Sequence, residues 1–516
     1  MIKMENKKYY ITTPIYYPSA NFHIGHCYTT VIADSINRYK KKEGYDTFFL
    51  TGSDEHGQKI EKKANDAGVT PKEYVDEIIE NAKDLWKSLN VEYDRFIRTT
   101  DSDHVETVQK IFKKLYDQGD IYKGEYTGLY CTPCESFWTE TQLVDGKCPD
   151  CGRDVTEVSE EAYFFKLSKY QDRLVEYIET HPEFIQPVSR KNEMLNNFIK
   201  PGLEDLCVSR TSFTWGIPVT FDEKHIIYVW IDALSNYISA LGYLSQDDSK
   251  FKKYWPADLH IVGKEIVRFH TIIWPIMLMA LDLPLPHQVF GHGWLIINGG
   301  KISKSLGNYR DPREYIEKYG VDAIRYYLLR EVPFGSDGQF SEELLISRYN
   351  ADLANTVGNL VNRTLSMLTK YFDGVINKSE IETEFDKDLI NIVTTTKENV
   401  RSYMDSLQIP EALDSIFEIF RRSNKYIDET MPWVLAKEEN KDKLKTVLYN
   451  LLESIRIGAI LLSPYLPETS NEILRQINTK ETSYEKLDQF GLLETGIHIN
   501  DFKPIFMRIE VKNESK

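Results

Sequence analysis

Two short segments and two cysteine pairs carry the residue types able to do chemistry in this chain. His23-Ile24-Gly25-His26 lies near the start, Lys301-Ile302-Ser303-Lys304-Ser305 lies in the second half, and Cys131-x2-Cys134 with Cys148-x2-Cys151 stand between them. The histidines fall at i and i+3 where a helical pattern begins. Gly25 between them permits close backbone approach, so both imidazoles and the first free amides of that helix can face one anion. The two lysines stand three apart, after Gly299-Gly300 and before Leu306-Gly307-Asn308. Glycines on both sides imply a gating loop whose cations close over leaving phosphates. No G-x4-G-K-[ST] loop occurs, because the residue six before Lys301 is Leu295. Such segments suit a reaction in which negative charge builds on a departing pyrophosphate.

Each cysteine pair is a tight knuckle. Thr132-Pro133 and Pro149-Asp150 fill the gaps and Gly152 follows the last cysteine, so four thiolates can surround one zinc ion tetrahedrally. Four protein ligands leave no open position for water, which makes the expected Zn2+ site structural and not catalytic. Cys27 and Cys207 remain as singles, and six cysteines in 516 residues do not make a disulfide scaffold.

The elements that must position these groups are legible in outline. Lys8 to Thr13 reads as a buried strand stopped by Pro14, and Thr47 to Thr51 as a second stopped by Gly52. Between them Tyr28 to Glu43 has helical spacing and ends at Gly44. Strand, helix, strand is a parallel βαβ unit. The alternation returns with Leu259 to Val262, a helix from Ile266 to Leu281, Gln288 to Phe290, and a helix near Val321 to Arg330. The simplest architecture is an α/β, doubly wound parallel sheet of the Rossmann-like kind, split by a zinc-containing insertion. From Ser341 onward the helical period is almost unbroken, which predicts an all-α helix bundle, and the short tail Phe502 to Glu510 is expected to pack back on the body of the protein. The expected divisions are 1–123 and 216–340 for the two halves of the sheet domain, 124–215 for the insertion and 341–516 for the bundle.

Composition sets limits. With 41% hydrophobic and 28% charged residues the chain is ordinary globular protein. It has neither a run of apolar residues long enough to span a bilayer nor a secretory signal pattern, so a cytoplasmic location is expected. The net charge of -16 argues by itself against a nucleic-acid partner, yet it is a sum and permits local basic faces.

Taken in order, the histidine segment, the cysteine knuckles and the lysine segment resemble the methionyl family of class I aminoacyl-tRNA synthetases. The ATP-handling segments of that class are written HIGH and KMSKS. This chain matches the first fully and the second with Ile302 in place of Met, apolar for apolar. The resemblance extends from Tyr9 to Glu510. It implies ATP-dependent activation of L-methionine to methionyl-adenylate, with Mg2+ accompanying the ATP, and transfer to tRNA(Met), initiator tRNA included. His23, His26, Lys301 and Lys304 would then be catalytic, with Gly25 and Glu265 also binding ATP, Glu265 at the ribose.

A methionine substrate needs a partner for its ammonium and an apolar, polarizable sleeve for its thioether. Asp54, at the end of the second expected strand, is placed for the ammonium. Trp230, Ala233 and Tyr237 share a face where Tyr228 to Tyr237 turns helical. The family match adds Ile15, Tyr17, Ile266 and His270 to this pocket, and Leu234, where some members have Pro. It also makes the bundle an anticodon-binding domain read through Asn359, Arg363 and Trp433, the last following Pro432 that would hold it outward.

Two other readings remain. A class I synthetase for Leu, Ile or Val would carry a large editing insertion, but residues 27–300 hold the cysteine knuckles with little room besides. A non-catalytic tRNA-binding paralogue would not need His23, His26, Lys301 and Lys304 intact. Some family members continue into a C-terminal OB-fold that dimerises them. Without one after Val511-Lys512 a monomer is expected, and a homodimer if the native chain carries that domain.

Overall fold

Aromatic and β-branched residues buried on both faces place the strand Lys8–Tyr16 at the centre of a six-stranded sheet. In spatial order the strands are Arg95–Arg98, Asp46–Ser53, Lys8–Tyr16, Leu259–Gly263, Val289–His292 and Ile185–Gln186, all parallel. The chain winds outward from the central strand in both directions, which opens a crevice at the carboxyl ends of Lys8–Tyr16 and Leu259–Gly263. The computed structural model describes residues 7–134, 136–138, 140–297, 300–301 and 310–510.

Two expected strand stops are not stops. The first strand continues past Pro14 to Tyr16 with a register shift between Thr12 and Ile15, which absorbs the ladder bond that proline cannot donate. The second runs through Gly52 to Ser53. A Cβ on Gly52 would lie 2.1 Å from the Ile97 carbonyl oxygen, so glycine serves close strand approach here and not a turn.

The helix Ile24–Lys42 starts at the HIGH segment itself, four residues earlier than its apolar spacing suggests. The expected helix after the fourth strand is a composite: a 3-10 turn Lys264–Ile266, a π-helical turn Phe269–Ile273 and an α-helix Trp274–Ala280. Single π turns inside helices are frequent at functional sites. In the insertion the strands Ser136–Trp138, Ile121–Cys131, Thr156–Phe165 and Leu206–Cys207 form an antiparallel sheet. Ile185–Gln186, within the span 124–215, belongs instead to the parallel sheet.

The chain divides into two compact units. One takes the chain through Trp294 apart from Asp34–Gly44 and Ser88–Asn90; the other takes those two segments and everything from Leu295. The expected boundary at 340–341 thus falls inside the second unit. The reason is visible at Arg325, wholly buried on the helix Val321–Arg330. Its Nη2 meets Asp34 Oδ2 at 2.7 Å, its Nε the Tyr465 carbonyl at 2.8 Å and its Nη1 the Leu89 carbonyl at 3.1 Å. Removing either member of such a pair strands a buried charge, so this helix is fixed to the elements of the second unit.

That unit contains the long helices Asn359–Phe372, Asp386–Asp405, Ile409–Thr430 and Lys441–Leu462. Its tail does return to the bundle: Asn350 exchanges two bonds with the Ile509 backbone, at 2.8 and 2.9 Å, and Phe506 meets Tyr349 edge-on. Among the described residues, no helix is long and apolar enough to cross a membrane.

Candidate active site and metal centre

In the first unit Tyr17, His23, Gly25, His26, Asp54 and Glu265 follow the carboxyl ends of strands of the parallel sheet. His23 and His26 lie just after the central strand, with ring centroids 4.0 Å apart. The His23 amide donates to His26 Nδ1 at 3.0 Å and the Gly25 amide to His23 Nδ1 at 3.1 Å. Two of the amides expected to face an anion are therefore spent on the imidazoles. The same bonds fix both tautomers, because a ring nitrogen that accepts leaves the other to carry the proton. Each histidine thus keeps Nε2–H as a donor. Burial lowers His23 from its ordinary 6.5 to about 4 against the opposing pull of Glu265, and burial and His23 together hold His26 well below its usual range. Both act as neutral donors at neutral pH.

Glu265 is placed by the 3-10 turn after the fourth strand. It accepts from Trp294 Nε1 at 2.6 Å, and Lys264 Nζ sits 4.1 Å from the centre of that indole. Its charge reaches both His23 and His292. His292, at the end of the fifth strand, donates from Nδ1 to the Gly293 carbonyl at 2.7 Å and accepts from Thr29 Oγ1 at 2.8 Å.

Asp54 follows the second strand, its amide bonded to the Tyr16 carbonyl at 3.0 Å, and is 7% exposed. The next residue holds this turn in place: the buried Glu55 carboxylate accepts from Arg98 Nε at 2.5 Å, Arg98 Nη2 at 2.9 Å and Thr100 Oγ1 at 2.6 Å. His56 then donates from Nδ1 to Asp232 Oδ2 at 2.7 Å, and His104 Nε2 meets Asp232 Oδ1 at 2.7 Å. Burial alone would raise the Asp232 carboxyl, but the two imidazoles outweigh it and hold it below the usual range. This bridge ties the Asp54 turn to the helix Val229–Leu234.

That helix carries the expected pocket. Trp230 stacks on Phe269 with centroids 3.5 Å apart and planes 10° from parallel. Ile15 and Trp230 pack against Tyr130, Tyr228 and Ala233. Leu234 and Tyr237 belong to the main core of this unit, and half-buried Ile266 packs against that core. His270 donates from Nδ1 to the Ile266 carbonyl at 2.9 Å, which leaves Nε2 to accept the Tyr237 hydroxyl at 2.7 Å. Tyr17 is half-buried under Lys59, whose Nζ lies 5.3 Å from the ring centre. The sequence reading missed His56, His104, Asp232 and Phe269. A histidine two residues beyond Asp54 and an aspartate inside the Trp230 helix were the available signals.

All four cysteine sulfurs of the knuckles lie within 4.8 Å of one another, Cys131 to Cys151 at 3.5 Å and Cys134 to Cys148 at 3.9 Å. A tetrahedron with Zn–S bonds of about 2.3 Å has edges of about 3.8 Å, so the donor set fits zinc. The Gly152 amide closes the second knuckle on the Cys148 carbonyl at 2.8 Å, with Gly152 at φ 67°. Cys27 and Cys207 are buried elsewhere.

In the second unit Lys301 ends the short strand Gly300–Lys301, antiparallel to Leu295–Ile297. Its side chain, and Lys304 altogether, lie outside the described residues. On the bundle Asn359 is exposed, Arg363 faces Asp428 at 3.7 Å and Trp433 is 45% exposed behind Met431, whose φ of 42° turns the chain into the helix Pro432–Lys437.

Residues 9–158 and 153–365 match the model described as tRNA synthetases class I (M), and residues 376–516 match the anticodon binding domain of methionyl tRNA ligase. The chain belongs to the methionyl class I tRNA synthetase family. It is 62% identical over 512 residues to the methionine–tRNA ligase of Clostridium perfringens, covering 99% of this chain and 79% of that one. It is 63% identical over 508 residues to that of Clostridium acetobutylicum, covering 98% and 79%. Among solved structures it resembles Mycobacterium tuberculosis methionyl-tRNA synthetase in complex with methionyl-adenylate, with a TM-score of 0.93 and 40% identity over 97% of this chain and all of the other.

Proposed function

We propose that the chain is a methionine–tRNA ligase that activates L-methionine with ATP and transfers it to tRNA(Met), initiator tRNA included, in the cytoplasm. The observation that carries this reading is the shared edge: His23, His26, Asp54 and Glu265 follow three different strands of one parallel sheet and lie where such sheets bind nucleotides.

Asp54 holds the methionine ammonium, which turns the carboxylate toward the α-phosphate of ATP. Ile15, Tyr17, Trp230, Ala233, Leu234, Tyr237, Ile266 and His270 form the apolar wall around the thioether. A methionine carboxylate oxygen attacks the α-phosphorus, the bond to the bridging oxygen of pyrophosphate breaks, and methionyl-adenylate forms. The two Nε2–H donors of His23 and His26 meet the phosphates, with the Lys301 and Lys304 cations stabilising the charge on the leaving pyrophosphate. Glu265 takes the ribose. A terminal ribose hydroxyl of the tRNA then attacks the methionyl carbonyl and AMP leaves, with no covalent enzyme intermediate. Mg2+ accompanies the ATP. Cys131, Cys134, Cys148 and Cys151 would hold a zinc ion, which would cross-link the insertion. Asn359, Arg363 and Trp433 meet the anticodon.

Charging of tRNA(Met) with labelled methionine, leucine and isoleucine tests the reading. Methionine alone should be transferred; preferential transfer of leucine or isoleucine, or none by folded protein, would overturn it.

A further inference from the structure

Arg268 sits between the cysteine knuckles and the proposed amino-acid pocket and touches both. Its Nη2 donates to Asp150 Oδ2 at 3.0 Å, and Asp150 lies between Cys148 and Cys151 in the second knuckle. The guanidinium carbon stands 4.5 Å from the ring centre of Trp138 and 4.5 Å from that of Phe269. Trp138 belongs to the small core around Cys131 and Cys148. Phe269 is the ring on which Trp230 stacks at 3.5 Å, and the next residue, His270, takes the Tyr237 hydroxyl. The side chain is only 15% exposed, and among the described residues its Nε has no hydrogen-bond partner. Two ring faces and one knuckle carboxylate therefore hold a planar cation in place, an arrangement suited to arginine and not to lysine.

We infer that Arg268 is a positioning residue: it transmits the placement of the metal knuckle to the Phe269–Trp230 pair and so sets the shape of the methionine pocket. This rests on the pocket reading above. The arginine would not touch substrate. Zinc bound by the four cysteines would fix Asp150 and Trp138, and these hold the guanidinium and with it the ring that backs Trp230.

Methionine binding to the full chain, measured by calorimetry, tests this with Arg268→Ala, Arg268→Lys, Asp150→Asn and Trp230→Ala. Zinc content is read by elemental analysis and the KM for ATP by pyrophosphate exchange. Arg268→Ala should weaken methionine about tenfold while zinc stays at one per chain and the KM for ATP is unchanged. Arg268→Lys should not restore the affinity. Asp150→Asn, at a half-exposed position, should weaken methionine in the same direction even if Arg268→Ala misfolds. Stripping zinc with a chelator should weaken methionine in the unmodified protein and add little in a folded Arg268 variant. Wild-type affinity in both Arg268→Ala and Asp150→Asn, with Trp230→Ala weakened, would overturn the inference alone. Unchanged affinity in Trp230→Ala as well would overturn the pocket reading with it.

Discussion

Tyr237 donates its hydroxyl to Nε2 of His270 at 2.7 Å, and both groups are buried, at 1% and 3% exposure. Because His270 spends its own proton on the Ile266 carbonyl, the tyrosine is the donor and the pair has one orientation only. Tyr237→Phe leaves a buried acceptor without its donor. The expected cost is about 1–3 kcal/mol of stability in urea unfolding, with weaker methionine binding and an unchanged KM for ATP. Full stability in the variant would show that the bond contributes nothing.

The same histidine makes stability depend on pH. Burial lowers His270 from 6.5 to about 4, so between these values the unfolded chain binds a proton that the folded chain refuses. Stability is therefore complete above pH 6.5 and is lost as pH falls toward 4. At pH 5 this group alone accounts for about 2 kcal/mol. His270→Gln should narrow the difference between urea unfolding at pH 7 and pH 5 by about that amount; an unchanged difference would contradict the assignment.

Asp232 accepts from two histidines at once, and an asparagine has only one oxygen with which to do so. Asp232→Asn should destabilise the first unit by about 3 kcal/mol, because one imidazole N–H loses its acceptor in a wholly buried place. Denaturant midpoints measure this. A shift within experimental error would mean that the bridge is not a structural tie.

Local signals were legible and long-range ones were not. The histidine segment and the cysteine knuckles are spacings of a few residues, so a linear reading finds them, and the helix Ile24–Lys42 and most of the bundle declare their period. Asp232 meets histidines 176 and 128 residues away, a juxtaposition that no local pattern records. Ile185–Gln186 is too short for periodicity, and Pro14 and Gly52 look like breakers until their neighbours are in place. Arg268 has no local pattern that marks it; only the fold sets Trp138 and Phe269 beside it. The roles carried over from the family, such as those of Tyr17 and Asn359, rest on resemblance because neither residue has a chemical signature of its own.

Trp433 is 45% exposed at the start of a short helix, as a ring offered for stacking would be. Base-to-aromatic stacking contributes about 1–3 kcal/mol per base. Trp433→Ala should raise the KM for tRNA(Met) about tenfold or more and leave methionine-dependent pyrophosphate exchange untouched. Normal tRNA charging by this variant would remove Trp433 from the anticodon surface.

The central proposal is that the His26 donor and the Lys304 cation both stabilise the charge that builds as methionyl-adenylate forms. Single-turnover formation of methionyl-adenylate in His26→Ala and Lys304→Ala measures it directly. Each variant should be slowed about 100-fold or more with methionine affinity unchanged. Formation at the wild-type rate in either folded variant would contradict the account.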